Sequence, residues 1–301
     1  MKSLLVAFML VALTLAGAEK KAESKGPPFK RVLPQTPAGF TCTTNVVAEY
    51  PEHTVTLVVY APDKPGRYPA ILDIHGGGWR SRQVENDKPM MERLAARGFV
   101  TALVAYRLSG QAKYPAALDD CKAAMRYLRA NAKKFHIDPE RIGVMGGSAG
   151  GHLSGLLAMT GGLKEFEGQG PHQEFSSRVQ ACIVMAATQD LAASNSTPKN
   201  STNVVEFFGA SYQQNPGVFK AASPITHVRA GVPPAIFIEG ERDTLKIGRA
   251  EMQEKLKALG IETAVHTLKD APHPFWMSQP WCDQTVEIAA AFFKKHLGEP
   301  K

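Results

Sequence analysis

The stretch RIGVMGGSAGGHLSGLLA, residues 141–158, joins a strand pattern to a helix pattern through a turn of small residues. Arg141–Met145 is a short apolar run typical of a buried strand, and Ala149–Met159 continues as a helix. Ser148 lies between them in a Gly-x-Ser-x-Gly match. A serine on such a turn projects its hydroxyl above the sheet, while the helix N-terminus directs main-chain amides towards a developing anion. The pattern predicts that Ser148 is a catalytic nucleophile; the alternative is a purely structural strand-to-helix turn.

Strand and helix patterns alternate through the rest of the chain. The predicted strands are Val46–Tyr50, Thr54–Tyr60, Ala70–Ile74, Phe99–Ala105, Arg141–Met145, Val179–Ala186, Ala235–Glu239 and Glu262–Leu268. The predicted helices include Met90–Arg97 and cover about 115–135, 149–159, 247–259 and 286–297. This alternation indicates an α/β fold with a mainly parallel central sheet and helices on both faces. The stretch Ser194–Thr202 is rich in serine, asparagine and threonine.

A glycine cluster, HGGGW at residues 75–79, directly follows the predicted strand Ala70–Ile74. Consecutive glycines let a loop present its main-chain amides to an oxyanion. We assign the amides of Gly77 and Gly78, joined by that of Ala149, to an oxyanion hole. A phosphate-binding loop is disfavoured, because no lysine follows in the Walker pattern and no helix begins at once.

The acid and the base that would serve a nucleophilic serine should lie in loops after later strands. Asp243 follows the predicted strand Ala235–Glu239 and is the predicted acid. Its rivals are Glu241 in the same loop and Glu239, which still lies in the strand. His273 lies in the proline-stiffened loop DAPHPFW, residues 270–276, and is the predicted base. The chain order of serine, aspartate and histidine is that of one known class of nucleophilic hydrolases. This chemistry proceeds through an acyl-enzyme and needs no cofactor or metal.

Other histidines and two tryptophans near these loops have simpler interpretations. His266 is expected on one face of the last strand, His75 as an internal hydrogen-bonding group of the glycine loop, and His152 as a packing residue. Trp79 and Trp276 are candidate substrate-binding residues at the cleft, although Trp79 is equally compatible with packing.

The N-terminus predicts export. A basic start, an apolar run over Leu4–Leu15 and the small residues up to Ala18 are typical of a cleavable signal peptide, 1–18, and the run is too short for a membrane anchor. Residues 19–40 are predicted to be a basic flexible linker and residues 41–299 the catalytic domain. We therefore expect a secreted or periplasmic protein without stable membrane insertion. The oligomeric state is left open.

The charge balance gives little reason to expect a nucleic-acid partner. The net charge is +7, and residues 19–31 carry five basic and two acidic side chains, so much of the excess lies outside the predicted domain. Nucleic-acid binding requires a basic patch on the fold itself. The four cysteines, Cys42, Cys121, Cys182 and Cys282, show no metal-ligand spacing. Free buried thiols are the expectation, with a bridge involving Cys42 or Cys282 left open.

Several motifs together resemble α/β-hydrolase esterases. They are HGGGW at 75–79, VAYRL at 104–108, YPAALDD at 114–120, DPERI at 138–142, GGSAGGHL at 146–153, ASPITHV at 222–228 and HPFW at 273–276. Over about residues 43–297 the chain is similar to bacterial feruloyl-esterase-like and acetyl-xylan-esterase-like proteins, near the hormone-sensitive-lipase-like carboxylesterases. The chain differs from that group at Glu239, where a histidine is common, and it has little room for a long N-terminal helical cap.

The resemblance implies an α/β-hydrolase that cleaves carboxylic esters, and it is less specific for the substrate. The resemblance also implies a small lid between Ala187 and Pro233, which is polar over Ser194–Thr202. A modest polar lid favours a bulky or polymeric substrate, so we expect removal of acetyl or feruloyl groups from plant polysaccharides. The alternatives are a general short-chain carboxylesterase, an arylformamidase, a peptidase and a non-catalytic binding protein of the same fold. Export disfavours the arylformamidase, and the presence of all three predicted catalytic residues disfavours the binding protein.

Overall fold

The computed structural model describes residues 30–193, 201–299 and 301. The strands in this part of the chain are β1 (Phe40–Tyr50), β2 (His53–Pro62), β3 (Tyr68–Ile74), β4 (Val100–Ala105), β5 (Ile137–Gly147), β6 (Ala181–Met185), β7 (Ala235–Gly240) and β8 (Thr263–Leu268). The α-helices are α1 (Val84–Ala95), α2 (Ala116–Ala130), α3 (Ala149–Met159), α4 (Thr202–Phe208), α5 (Pro216–Ala221), α6 (Arg249–Ala258) and α7 (Trp281–Leu297).

The strands form one sheet in the order β1-β2-β4-β3-β5-β6-β7-β8. β2 is antiparallel to both β1 and β4, and from β4 to β8 every neighbouring pair is parallel. The carboxyl ends of β3, β5, β7 and β8 therefore lie along the same edge, where ligands bind in such sheets. The predicted α/β fold with a mainly parallel sheet is confirmed.

Burial explains why these segments are strands. β4, β6 and β7 are buried along their whole length, as expected for strands that are covered on both faces, whereas the edge strand β1 alternates between buried and exposed positions. Helices α2, α3 and α6 pack on one face of the sheet and α1 and α7 on the other, each with its own hydrophobic cluster. The sheet is thus a rigid base for the loops at its carboxyl edge.

Three segments differ from the sequence predictions. The lid region contains helices α4 and α5, which were not predicted, and α2 ends at Ala130 rather than near residue 135. Residues 30–40 were assigned to a flexible linker, but Val32 is buried in the core and Arg31 pairs with Ser278, so this part packs against the domain. An apolar side chain that gains such burial stabilises the packed arrangement.

Some predictions fall outside the described residues. The signal peptide, 1–18, most of the linker and residues 194–200 of the lid lie there. Within the described ranges, no helix has the length and apolar character needed to cross a membrane. All four cysteines are free thiols; Cys42 is exposed and the other three are buried.

Two carboxyl groups are buried side by side beneath the carboxyl edge of the sheet. Asp73 of β3 is 0% exposed and Asp87 of α1 is 1% exposed, and among the described residues neither forms an ion pair. Burial raises the pKa of Asp87 to about 7, against the hydrogen bonds from Trp276 and Asp73, and burial with the neighbouring Asp87 raises that of Asp73 well above its usual range. At least one of the two carboxyl groups therefore keeps its proton at neutral pH.

This pair predicts a pH dependence of stability. A raised pKa in the folded state means that the folded protein holds protons that the unfolded chain releases. The free energy of unfolding should therefore fall as pH rises from about 4 to 7, by up to about 1.4 kcal/mol per pH unit for each such proton. The double substitution Asp73→Asn/Asp87→Asn should flatten this slope, as measured by urea unfolding at pH 5 and pH 8. An equal change in the free energy of unfolding between pH 5 and pH 8 in the wild type and the double variant would contradict the prediction.

Candidate active site

Ser148 occupies the sharp turn between β5 and α3. Its φ of 57° and ψ of −123° lie in a region that serine rarely adopts, and its amide donates to the Met185 carbonyl of β6 over 2.9 Å. The turn brings the start of α3 close to β3: a Cβ atom added to Gly150 would lie 1.7 Å from the carbonyl oxygen of Ile74. Only glycine fits at this approach, and the tight turn exposes the Ser148 hydroxyl above the sheet edge.

The glycine loop that follows β3 lies beside Ser148. Gly77 and Gly78 have φ values of +105° and +60°, in the region that favours glycine. Among the described residues, no atom accepts a hydrogen bond from the main-chain amides of Gly77, Gly78 or Ala149. These N–H groups are therefore free to bind an anion, as an oxyanion hole requires.

His75 contacts the glycine loop through hydrogen bonds and packs against Tyr106. Its Nδ1 lies 2.7 Å from the carbonyl oxygen of Gly76, and its ring stacks on that of Tyr106 at 4.3 Å between centroids. The Tyr106 hydroxyl donates to the His75 carbonyl over 3.0 Å. Burial lowers the pKa of His75 to about 4, so the imidazole is neutral near pH 7. This environment fits an internal hydrogen-bonding group.

Asp243 and His273 meet above the ends of β7 and β8. The Nδ1 atom of His273 donates to Oδ2 of Asp243 over 2.7 Å, while Oδ1 of Asp243 accepts from the Leu245 amide over 2.8 Å. Burial opposes ionisation of Asp243, but these hydrogen bonds outweigh it and lower the pKa of the carboxyl group. Because a neutral imidazole carries one N–H, this arrangement leaves Nε2 of His273 as an acceptor.

The rival carboxylates are engaged elsewhere. Oε2 of Glu239 lies 3.3 Å from Nε of Arg249, and Oε2 of Glu241 accepts from the Asp270 amide over 2.8 Å. His266 lies within β8, as expected, and His152 is buried, with Nε2 2.7 Å from the Ala222 carbonyl oxygen. Of the described carboxylates, Asp243 is the one bonded to His273.

Two cavities meet at Ser148. The first has a volume of about 350 Å³, and its walls are mostly apolar, including Trp79, Leu191, Val204 and Ile247. The second has a volume of about 290 Å³ and is lined by other groups, Gly76, Gly77, Gln83, His273, Pro274, Trp276 and Met277. Ser148 borders both cavities, so a bound molecule can extend to either side of its hydroxyl.

The two candidate tryptophans occupy different positions. Trp79 borders the first cavity and stacks on Phe207 of α4, with 4.7 Å between ring centroids. Trp276 borders the second cavity but is only 1% exposed, with Nε1 donating to Asp87 over 2.9 Å. A Cβ atom added to Gly147 would lie 2.2 Å from the Trp276 ring. Trp276 is therefore mainly a packing residue beneath the turn that carries Ser148.

Sequence reasoning did not identify Asn203 and Gln83 as cavity residues. Asn203 borders both cavities from α4, and Gln83 borders the second from the start of α1. No motif marks either residue; Asn203 lies within the predicted lid, directly after its polar stretch Ser194–Thr202. Within the described part of the chain, no group of three or more histidine, cysteine, aspartate or glutamate side chains is placed to hold a metal ion.

The chain resembles known proteins in sequence. A model of the BD-FAE family matches residues 57–252. Esterase LipQ of Mycobacterium tuberculosis is 31% identical over 185 residues, which cover 60% of this chain and 44% of LipQ. The chain thus spans less than half the length of this curated relative.

Solved structures also resemble this chain in fold. A truncated carbohydrate esterase from gut microbiota superposes with a TM-score of 0.76 at 25% identity, over 88% of this chain and 100% of that chain. Esterase 2 from the planctomycete Thermogutta terrifontis, in a propionate-bound form, superposes with a TM-score of 0.70 at 27% identity, over 86% of this chain and 94% of that chain. Both therefore share the fold of this chain over most of its length.

Proposed function

This chain belongs to the BD-FAE family of α/β-hydrolases, and from that premise we propose that it is a serine carboxylic ester hydrolase. The observation that carries the proposal is the convergence of Ser148, the His273–Asp243 pair and three unpaired main-chain amides around the junction of the two cavities. These groups supply a nucleophile, an oriented base and an oxyanion site. Relatives named as esterases support the same activity.

The geometry suggests the following sequence of steps. Nε2 of His273 removes the proton of Ser148 as Oγ attacks the ester carbonyl carbon, and the amides of Gly77, Gly78 and Ala149 stabilise the resulting oxyanion. The tetrahedral intermediate collapses to an acyl-enzyme as His273 gives its proton to the departing alcohol oxygen. His273 then deprotonates a water molecule that attacks the acyl-enzyme carbonyl. As the second tetrahedral intermediate collapses, His273 returns this proton to Oγ of Ser148 and the acid leaves.

The position of His273 indicates which portion of the substrate each cavity holds. Since His273 must protonate the leaving oxygen, the alcohol portion of the substrate belongs in the cavity that His273 borders. The acyl portion then takes the apolar cavity bordered by Trp79 and Ile247. A volume of about 350 Å³ lies at the lower end of the range for small-molecule sites, about 300–1,000 Å³, so it can take an aromatic acyl group as well as acetyl.

We infer that the alcohol is a carbohydrate hydroxyl and that the acyl group is feruloyl or acetyl. The carboxamide of Gln83 borders the alcohol cavity and offers the donor and acceptor groups that a sugar hydroxyl requires. The name of the carbohydrate esterase from gut microbiota supports a substrate of this class. Export, inferred from residues 1–18, would bring the enzyme to polysaccharides outside the cell.

The substrate assignment predicts a selective effect at the rim of the acyl cavity. Ile247→Trp narrows this cavity at a half-buried position, so kcat/KM for methyl ferulate should fall by about tenfold or more, with little change for phenyl acetate. Steady-state assays of both proteins on these esters and on acetylated xylan test the assignment. Leu259→Trp, at an exposed site after α6, is the control for adding an indole. An equal fall in kcat/KM of Ile247→Trp for methyl ferulate and for phenyl acetate would contradict the placement of the acyl group.

A further inference from the structure

Asn203 lies where the two cavities meet. Among the described residues, only Ser148, Gly78 and Asn203 border both cavities. Under the proposed function, the ester bond being cleaved spans this junction, with its acyl portion on one side and its alcohol on the other. Asn203 therefore lies beside the reacting group.

The orientation of the Asn203 carboxamide is fixed by Arg80. Nη1 of Arg80 donates to Oδ1 of Asn203 over 2.9 Å. A guanidinium has no acceptor, so the carboxamide oxygen must face Arg80 and the NH₂ group must point away. There Nδ2 lies against Gly78: a Cβ atom added to Gly78 would be 2.5 Å from it. The two N–H donors of Asn203 thus lie beside the loop that carries the proposed oxyanion amides.

A further set of contacts holds this arrangement in place. Nε of Arg80 forms an ion pair with Oε2 of Glu206 over 2.7 Å, and Oε1 of Glu206 accepts from the Ser109 hydroxyl over 3.1 Å. Glu206 lies three residues after Asn203 in α4, so both side chains extend towards Arg80 from one face of the helix. A donor that is fixed before the substrate arrives stabilises a developing charge without reorganisation.

We propose that Asn203 is a side-chain member of the oxyanion hole. Its Nδ2 donates a hydrogen bond to the ester carbonyl oxygen as that oxygen becomes the tetrahedral oxyanion, next to the main-chain amides of Gly77, Gly78 and Ala149. The bond strengthens as negative charge develops, so Asn203 acts mainly on kcat. This inference rests on the proposed ester hydrolysis and adds a catalytic residue to it.

Substitutions of Asn203 test this role. Asn203→Ala removes the donor, and Asn203→Asp replaces it with a carboxylate that can still pair with Arg80. We expect kcat for p-nitrophenyl acetate and for acetylated xylan to fall by about 10- to 100-fold in Asn203→Ala, with a larger loss in Asn203→Asp because its charge repels the oxyanion. KM should change little for either substrate. Thr202→Ala, at the exposed neighbouring position of α4, is the matched control and should behave as wild type.

The outcomes separate this inference from the proposed function. Wild-type protein that neither hydrolyses esters nor reacts with a fluorophosphonate at Ser148 would overturn the proposed function itself. If the wild type is active, a kcat of Asn203→Ala within about twofold of the wild-type value would overturn the oxyanion role alone. A rise in KM confined to acetylated xylan would also overturn that role, since Asn203 would then recognise the alcohol. Thermal melting of each variant identifies any loss of folding.

Discussion

Ser148→Ala should lower kcat for ester hydrolysis by about 10⁴- to 10⁶-fold while the protein remains folded. The loss is expected because the variant has no hydroxyl for His273 to activate and cannot form an acyl-enzyme. The hydrogen bond from the Ser148 amide to the Met185 carbonyl involves main-chain atoms alone, so it does not depend on the side chain. The melting temperature should therefore stay close to that of wild type.

Fluorophosphonate labelling complements the activity measurement. A phosphonylated serine adds a fixed mass, so intact-protein mass spectrometry should show one adduct on the wild type and none on Ser148→Ala. Ser154→Ala, a change of the same kind at a buried serine of α3, should keep the label. Wild-type turnover in Ser148→Ala would show that Ser148 is not the nucleophile. An unlabelled, inactive wild type would favour the non-catalytic binding protein instead.

The parts of the fold that were predictable from the sequence are those with local signals. The turn at Ser148 is marked by small residues between a buried strand and a helix, and the strand patterns of β3, β7 and β8 place the glycine loop, Asp243 and His273 at their ends. Parallel pairing of these strands then brings the loops to one edge. Both the placement of these residues at strand ends and the pairing of the strands follow from short-range sequence patterns and the general rules of α/β sheets.

The features that were not predicted depend on contacts between distant residues. Helix α4 is seven residues long and is held by the Arg80–Glu206 ion pair and by stacking of Phe207 on Trp79 rather than by a strong periodic pattern. The hydrogen bond that orients Asn203 joins residues 123 positions apart. The buried Asp73 and Asp87 are likewise brought together by the packing of α1 on the sheet. Contacts of this kind form only in the folded chain, so no local sequence pattern predicts them.

The second large effect is expected for Asp243→Asn, which should lower kcat by about 10⁴-fold without unfolding the protein. In the wild type, Asp243 accepts the Nδ1 proton of His273 and leaves Nε2 free to take the proton of Ser148. An asparagine can donate its NH₂ group to Nδ1, which favours the tautomer with the proton on Nε2. His273 would then have no acceptor facing the serine. The variant should still melt as a folded protein, because the carboxamide keeps the size of the carboxylate.

A matched substitution in the same loop decides whether Asp243 is the acid. Glu241→Gln makes the same chemical change two residues away, where the side chain accepts a hydrogen bond from the Asp270 amide instead of from His273. It should keep kcat within about threefold of wild type, since a glutamine oxygen can accept the same bond. A severe loss in Glu241→Gln together with normal turnover in Asp243→Asn would reassign the acid. The structure supports the opposite result, because the 2.7 Å contact to Nδ1 of His273 is made by Asp243.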